Sequence, residues 1–207
     1  MEEVMVSSII HLSGFPGVGK LTIAQEIAKR PNHILADGHL INNPIFKTFG
    51  ADGVTPLPDH VWNEVTVVRK AVFRTMVRAP LKFSYVMTNV LVEDTEDREV
   101  VEQIQEIARH RNSQYFPIVL TCELAENRRR IVGADRAANF KAIDPDDCDR
   151  MRAGKPQMLF EDHLNRFCLD TTHIAPVEAA KLIMAHIDQV LRFGAAPAEI
   201  KPDHPLQ

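Results

Sequence analysis

Gly14-Phe15-Pro16-Gly17-Val18-Gly19-Lys20-Leu21-Thr22 stands between a short apolar run, Ser7-Ser8-Ile9-Ile10-His11-Leu12, and a run in which Leu21, Ile23, Ala24, Ile27 and Ala28 recur at helical spacing. The glycines therefore join the carboxyl end of a strand to the start of a helix, the setting that G-x-x-G-x-G-K-x-T requires of a phosphate cradle. Glycines let the chain turn back so that backbone N–H groups converge, and the helix N-terminus adds partial positive charge. Lys20 can then reach terminal phosphate oxygens, so Gly14, Gly17, Val18, Gly19, Lys20, Leu21 and Thr22 form the expected nucleotide-phosphate site. A dinucleotide fingerprint competes, because Gly17-Val18-Gly19 could open G-x-G-x-x-G with Asp37 as the ribose acid. Thr22 in the third glycine position and an idle Lys20 argue against it. Leu21 stands where a hydroxyl normally reaches magnesium, and the hydroxyl is displaced to Thr22.

The chain has 207 residues, 45% of them hydrophobic, which suffices for one domain with a sizeable core. A net charge of −4 argues against a protein that coats nucleic acid, and no segment has the length and apolarity of a membrane span. The acidic start, Met1-Glu2-Glu3-Val4, does not read as a secretory signal, so a cytoplasmic location is expected. Cys122, Cys148 and Cys168 are odd in number, lack C-x-x-C spacing, and read as reduced thiols, with Cys122 and Cys168 in core strands.

Further strands are predicted at 33–37, 82–89, 115–122 and 166–170. Helical stripes follow at Val61, Val65, Val68, Val72 and Met76, at Val100, Ile104, Ile107 and Ala108, and from Val177 to Leu191. Alternation of this kind predicts a parallel sheet with helices on both faces, binding its ligand at the carboxyl ends of the strands. Two segments read as insertions: the Gly/Pro loop 50–58, and 126–155, where basic residues are concentrated. The tail from 194, with Pro197, Pro202 and Pro205, is expected to be extended or loosely ordered.

With the glycine-lysine loop after the first strand, an acid ending the second and an arginine-rich insert before the fifth, the chain resembles the small P-loop kinases. That superfamily includes adenylate-type, shikimate, gluconate and antibiotic kinases. The stretches ADGHLINNPIF and MTNVLVED also look like segments of ATP-binding proteins in it. The resemblance implies a three-layer α/β fold with strand order 2-3-1-4-5 in a single domain over 1–193. It further implies an acceptor region at 38–80, an arginine lid at 126–155, ATP as co-substrate, Mg2+, and a small-molecule acceptor. The function expected is phosphotransfer from ATP to a hydroxyl or phosphate. A regulatory ATP-binding protein or slow ATPase is the alternative.

Asp37 ends the second strand and is the candidate base or acceptor-orienting group; it could also hold magnesium through water, with Thr22 as the other metal candidate, or cap the next helix. His39, Asn42 and Asn43, in a loop-like stretch, are acceptor-site candidates, with capping as an alternative for the asparagines. Thr88 and Asn89 end the third strand where related enzymes place a metal-binding acid; they either line the site or cap the strand end. In the lid, arginine suits phosphate because its planar fork stays charged as a site closes. Arg136 resembles the phosphate-directed lid arginine and Arg128 the one that stacks near adenine, although only one or two of Arg128, Arg129 and Arg130 can face a nucleotide. Thr171 and Thr172, after the last strand, are adenine-side candidates. Asp144-Pro145 reads as a helix start, and Lys70, Arg74 and Arg78 form an i, i+4, i+8 row that could meet an anionic acceptor.

Overall fold

The computed structural model describes residues 7–52, 55–133 and 144–194. Its elements are β1 (Ser8–Ser13), α1 (Lys20–Ile27), β2 (His33–Asp37), α2 (Gly38–Phe49), α3 (Asp59–Arg78), β3 (Ser84–Asn89), α4 (Thr95–Arg111), β4 (Gln114–Thr121), α5 (Leu124–Ile131), α6 (Pro145–Gly154), β5 (Phe167–Asp170) and α7 (Pro176–Phe193). The strands form one parallel sheet in the order β2-β3-β1-β4-β5. Every position of β1 is buried, as a central strand with both faces covered demands.

Side chains alternate between two cores. Ile10, Leu12, Val86, Phe116, Ile118 and Leu120 pack beneath α1 and α7, whereas Ile9, Met87, Tyr85 and Tyr115 pack beneath α2, α3 and α4. Each fully buried aliphatic side chain contributes roughly 1.5–3 kcal/mol, so the sheet is held from both sides. The C-terminal turn of α3 is fixed by Arg111, which is 1% exposed and donates to the carbonyls of Met76, Ala79, Pro80 and Phe83.

Two sequence expectations change. His39, Asn42 and Asn43, expected in a loop-like stretch, lie on a helix, α2. Asp37 Oδ1 caps it by accepting from Leu40 N at 2.7 Å, Ile41 and Phe46 are buried, and Gly50 ends it at φ 80°. Pro44 inside the helix cannot donate to the Leu40 carbonyl, and that local penalty is outweighed by the packed face. Cys168 is exposed, not core: on the edge strand β5 only Phe167 and Leu169 turn toward α7. The helix start at Asp144-Pro145 forms as expected, with the Asp144 carboxylate accepting from Asp146 N at 2.9 Å.

Candidate functional site

The glycine-rich loop leaves β1 at the carboxyl edge of the sheet and enters α1 at Lys20. Two of its glycines are required by space and backbone together. At Gly14 (φ 156°) a Cβ would lie 2.5 Å from the Leu120 carbonyl oxygen, and at Gly17 (φ 86°) 2.6 Å from Asn127 Nδ2. Lys20 folds back over the loop, its Nζ donating to Gly14 O at 2.5 Å and Phe15 O at 3.0 Å. Gly19, at φ 91°, is the N-cap of α1, which has no acidic residue in its first turn and so keeps its N-terminal positive end unneutralised. The loop therefore fits a polyphosphate.

Asn127, which the sequence reading missed, buttresses this loop. It is fully buried on α5 and donates from Nδ2 to Pro16 O at 2.8 Å. Nothing local in the sequence marks it, because an asparagine amid arginines reads as surface. Asn127→Ala is expected to lower stability by about 1–2 kcal/mol, the loss of a buried hydrogen bond, and to loosen the loop. Chemical denaturation and ATP titration of the same variant check both effects.

At the neighbouring strand ends, Asp37 pairs in register with Thr88, and Asn89 with Ser13, the residue before Gly14. Asp37 is 7% exposed. Its Oδ1 serves the α2 cap, and among the described residues Oδ2 has no hydrogen-bond partner. The cap and a free carboxylate oxygen thus coexist. Thr88 is buried, and the Ser13 hydroxyl is buried without a partner among the described residues. Asn89 accepts at Oδ1 from His11 Nε2 at 2.9 Å. His39, Asn42 and Asn43 lie in the first half of α2, beside Asp37.

Desolvation holds His11 neutral, lowering its pKa to about 4 against a smaller opposing effect of the Asn89 hydrogen bond. In the unfolded chain this imidazole titrates at about 6.5, so the stability it contributes is complete above that pH and is lost as pH falls toward 4. The loss should approach roughly 3 kcal/mol. Thermal unfolding at pH 7 and pH 5, for wild type and His11→Gln, checks this: the drop should be smaller in the variant.

The arginines of α5 divide. Arg128 is paired with Asp146 and Asp149 on α6, tying the two helices together. Arg129 is exposed and pairs with Glu126. Arg130 turns inward: it pairs with Glu126 at 2.7 Å and donates to Thr171 O at 2.8 Å and Thr172 O at 3.0 Å. Arg129 and Arg130 together hold the Glu126 carboxyl down near 2. Thr171 is buried and its hydroxyl donates to Val18 O at 2.9 Å, so the β5–α7 turn is tied directly to the phosphate loop. Arg136 lies outside the described residues.

A second missed residue is Arg152 on α6, whose guanidinium lies 5.5 Å from the centre of the Phe15 ring in the loop. It makes no ion pair among the described residues. Its only sequence signal was membership of the basic stretch, since 137 positions separate it from Phe15. By contrast, Lys70, Arg74 and Arg78 do not approach the loop. They line a groove of about 490 Å³ between α3 and α4 with Phe73, Ile107 and His110, toward the amino ends of the strands.

Thr22 donates its hydroxyl to Gly19 O at 2.9 Å, and Leu21 offers no oxygen. No cluster of three acidic, histidine or cysteine side chains suited to a metal occurs among the described residues. Magnesium needs no such cluster, because one or two carboxylates commonly hold it together with phosphates and water. Asp37 is one carboxylate near the loop end of the sheet, and the Thr22 hydroxyl lies in the first turn of α1. Among the described residues no helix is long and apolar enough to cross a membrane.

No protein-family profile and no curated sequence matches the chain significantly. Solved structures do. A protein from Chloroflexus aurantiacus j-10-fl described as a candidate kinase has a TM-score of 0.62 at 16% identity, covering 89% of this chain and 98% of that one. A sugar kinase from Janibacter sp. HTCC2649 gives 0.55 at 16% identity, with coverage of 88% and 95%. The APS kinase of Mycobacterium tuberculosis, solved with AMPPNP and APS, gives 0.53 at 13% identity, with coverage of 88% and 98%. The chain therefore shares the fold of these solved kinases, and its strand order is the one that the resemblance implied.

Proposed function

We propose that the protein is an ATP-dependent phosphotransferase that moves the γ-phosphate of ATP onto a hydroxyl or phosphate of a small molecule held beside α2. The observation that carries this reading is the placement, at the carboxyl ends of the strands, of the Gly14–Lys20 loop after β1 and the Asp37 carboxylate at the end of β2, with β3 between them. Lys20 lies over the loop at Gly14 and Phe15, and Asp37 keeps Oδ2 open. Solved proteins of this architecture include gluconate, shikimate and APS kinases, which supports the class and leaves the acceptor open.

In this reading the loop N–H groups and the start of α1 bind the phosphates, and Lys20 leaves its two carbonyls to neutralise terminal oxygens. Asp37 Oδ2 accepts the proton of the attacking hydroxyl, while Oδ1 keeps the carboxylate aimed through the helix cap. His39, Asn42 and Asn43 offer hydrogen bonds to the acceptor, with Thr88 below. In the alternative role Asp37 would hold Mg2+ through water, with Thr22, and that ion would offset phosphate charge while another group took the proton. Arg130 with Thr171 and Thr172 forms the nucleoside side, Arg128 secures α6, and Arg136 and Arg152 are the lid cations for the phosphates.

The test is a phosphorylation screen of a metabolite library with γ-labelled ATP. A kinase consumes ATP faster with the right acceptor and leaves label on it. Two observations favour a second reading, a regulatory ATP-binding protein or slow ATPase: β3 ends in Asn89, not an acid, and Leu21 replaces the loop hydroxyl. ATP hydrolysis that no acceptor accelerates would support that reading.

A further inference from the structure

Asn89 stands where an acid would hold the metal, and its amide is not free to turn. Its oxygen is engaged by His11 Nε2 at 2.9 Å, and His11 Nδ1 lies 2.9 Å from the Tyr115 hydroxyl. An amide oxygen can only accept, so Nε2 must carry the imidazole proton. A neutral ring then leaves Nδ1 bare, and Tyr115 donates to it. All three residues lie on the α3–α4 face of the sheet, with His11 fully buried and Tyr115 6% exposed. Burial keeps both titrating groups uncharged: it lowers the imidazole pKa and raises that of the phenol. The hydrogen bonds run in one sense, Tyr115 to His11 to Asn89.

The chain ends on the Asn89 NH2, which has no partner among the described residues. Asn89 is the register partner of Ser13, one residue before Gly14, so neighbouring strands bring this amide to within a strand spacing of the loop. Beside it the Ser13 hydroxyl is buried and has no partner among the described residues. We infer that Asn89 is a fixed hydrogen-bond donor to an oxygen of the γ-phosphoryl group of ATP, with His11 and Tyr115 as the positioning residues that hold its amide in that sense. The end of β3 then recognises phosphate directly and does not ligate metal. This inference rests on the ATP-binding reading above.

Two measurements test it. In 15N-labelled wild-type protein, imidazole NMR should find His11 as the Nε2–H tautomer from pH 8 to pH 5. The Nδ1–H tautomer would turn the Asn89 oxygen toward the site and overturn the inference without any variant. In parallel, ATP and ADP affinities are compared for wild type, Asn89→Ala and Asn89→Asp, with melting temperatures recorded alongside. A donor to the γ-phosphoryl predicts that Asn89→Ala weakens ATP roughly tenfold. Asn89→Asp should weaken it more, by adding repulsion, while ADP changes less than about threefold. An unchanged ATP-to-ADP ratio, or Asn89→Asp binding MgATP more tightly than Asn89→Ala, would reject it in favour of a structural or a metal-side role. His11→Gln, which can still present an N–H to Asn89, should restore the ATP-to-ADP ratio that His11→Leu loses. Lys20→Ala run alongside separates the two levels: if it leaves ATP binding intact, the ATP-binding reading fails, and Asn89 is not the cause.

Discussion

Lys20→Ala is expected to weaken ATP binding by roughly 10- to 100-fold, the worth of a charge-assisted contact to phosphate, and to reduce turnover further. Lys20 already lies against the loop. Its ammonium is parked on the carbonyls of Gly14 and Phe15 and reaches the loop from the first turn of α1. On a bound nucleotide the ammonium would exchange these carbonyl contacts for anionic phosphate oxygens. The melting temperature of the variant reports whether the fold tolerates the change. Isothermal titration with ATP, with melting temperature as control, reads the effect. A variant that melts normally and binds ATP like wild type would remove the loop from nucleotide binding.

Asp37→Asn is expected to cut turnover by about 10² or more while ATP affinity stays within a few-fold, if the carboxylate acts as base. The substitution is a sharp one because asparagine also caps helices well. The bond from Leu40 N to Oδ1 can persist, whereas the proton-accepting Oδ2 is replaced by an amide. Asp37→Ala removes both roles and should additionally destabilise α2 by about 1 kcal/mol. Turnover equal to wild type in Asp37→Asn would reduce this residue to its helix cap. A loss confined to magnesium dependence would assign it to the metal.

The contrast between Asp37 and Asn127 explains how far the sequence could be read. Asp37 was legible because it ends a run of strand-forming residues at a spacing that the loop-strand-helix order repeats, so its edge of the sheet followed from alternation alone. Asn127 and Arg152 were not, because their importance lies in contacts made across more than a hundred residues, with Pro16 and with Phe15. The arginine run showed that a basic surface exists without ordering it. A helix of 3.6 residues per turn points three consecutive side chains in different directions, and only packing assigned Arg128 to the α6 acids and Arg130 to the Thr171–Thr172 turn. The loop-like reading around His39, Asn42 and Asn43 failed for a related reason. Pro44 and two adjacent asparagines lower helix propensity, but burial of Ile41 and Phe46 beneath the sheet overrides it.

What the sequence determined by itself was the alternation of strand and helix and the glycine-lysine loop between the first pair. Both are local: one follows from the period of apolar residues, the other from backbone conformations that only glycine supplies cheaply. Tertiary structure decided which polar groups converge on that loop and with what polarity. The register of β1, β3 and β4 sets His11 between Tyr115 and Asn89, so that a strand end lacking an acid presents a donor. Such an orientation is a property of three strands closing on a buried ring, where an unmade hydrogen bond is costly, and no single stretch of the chain encodes it.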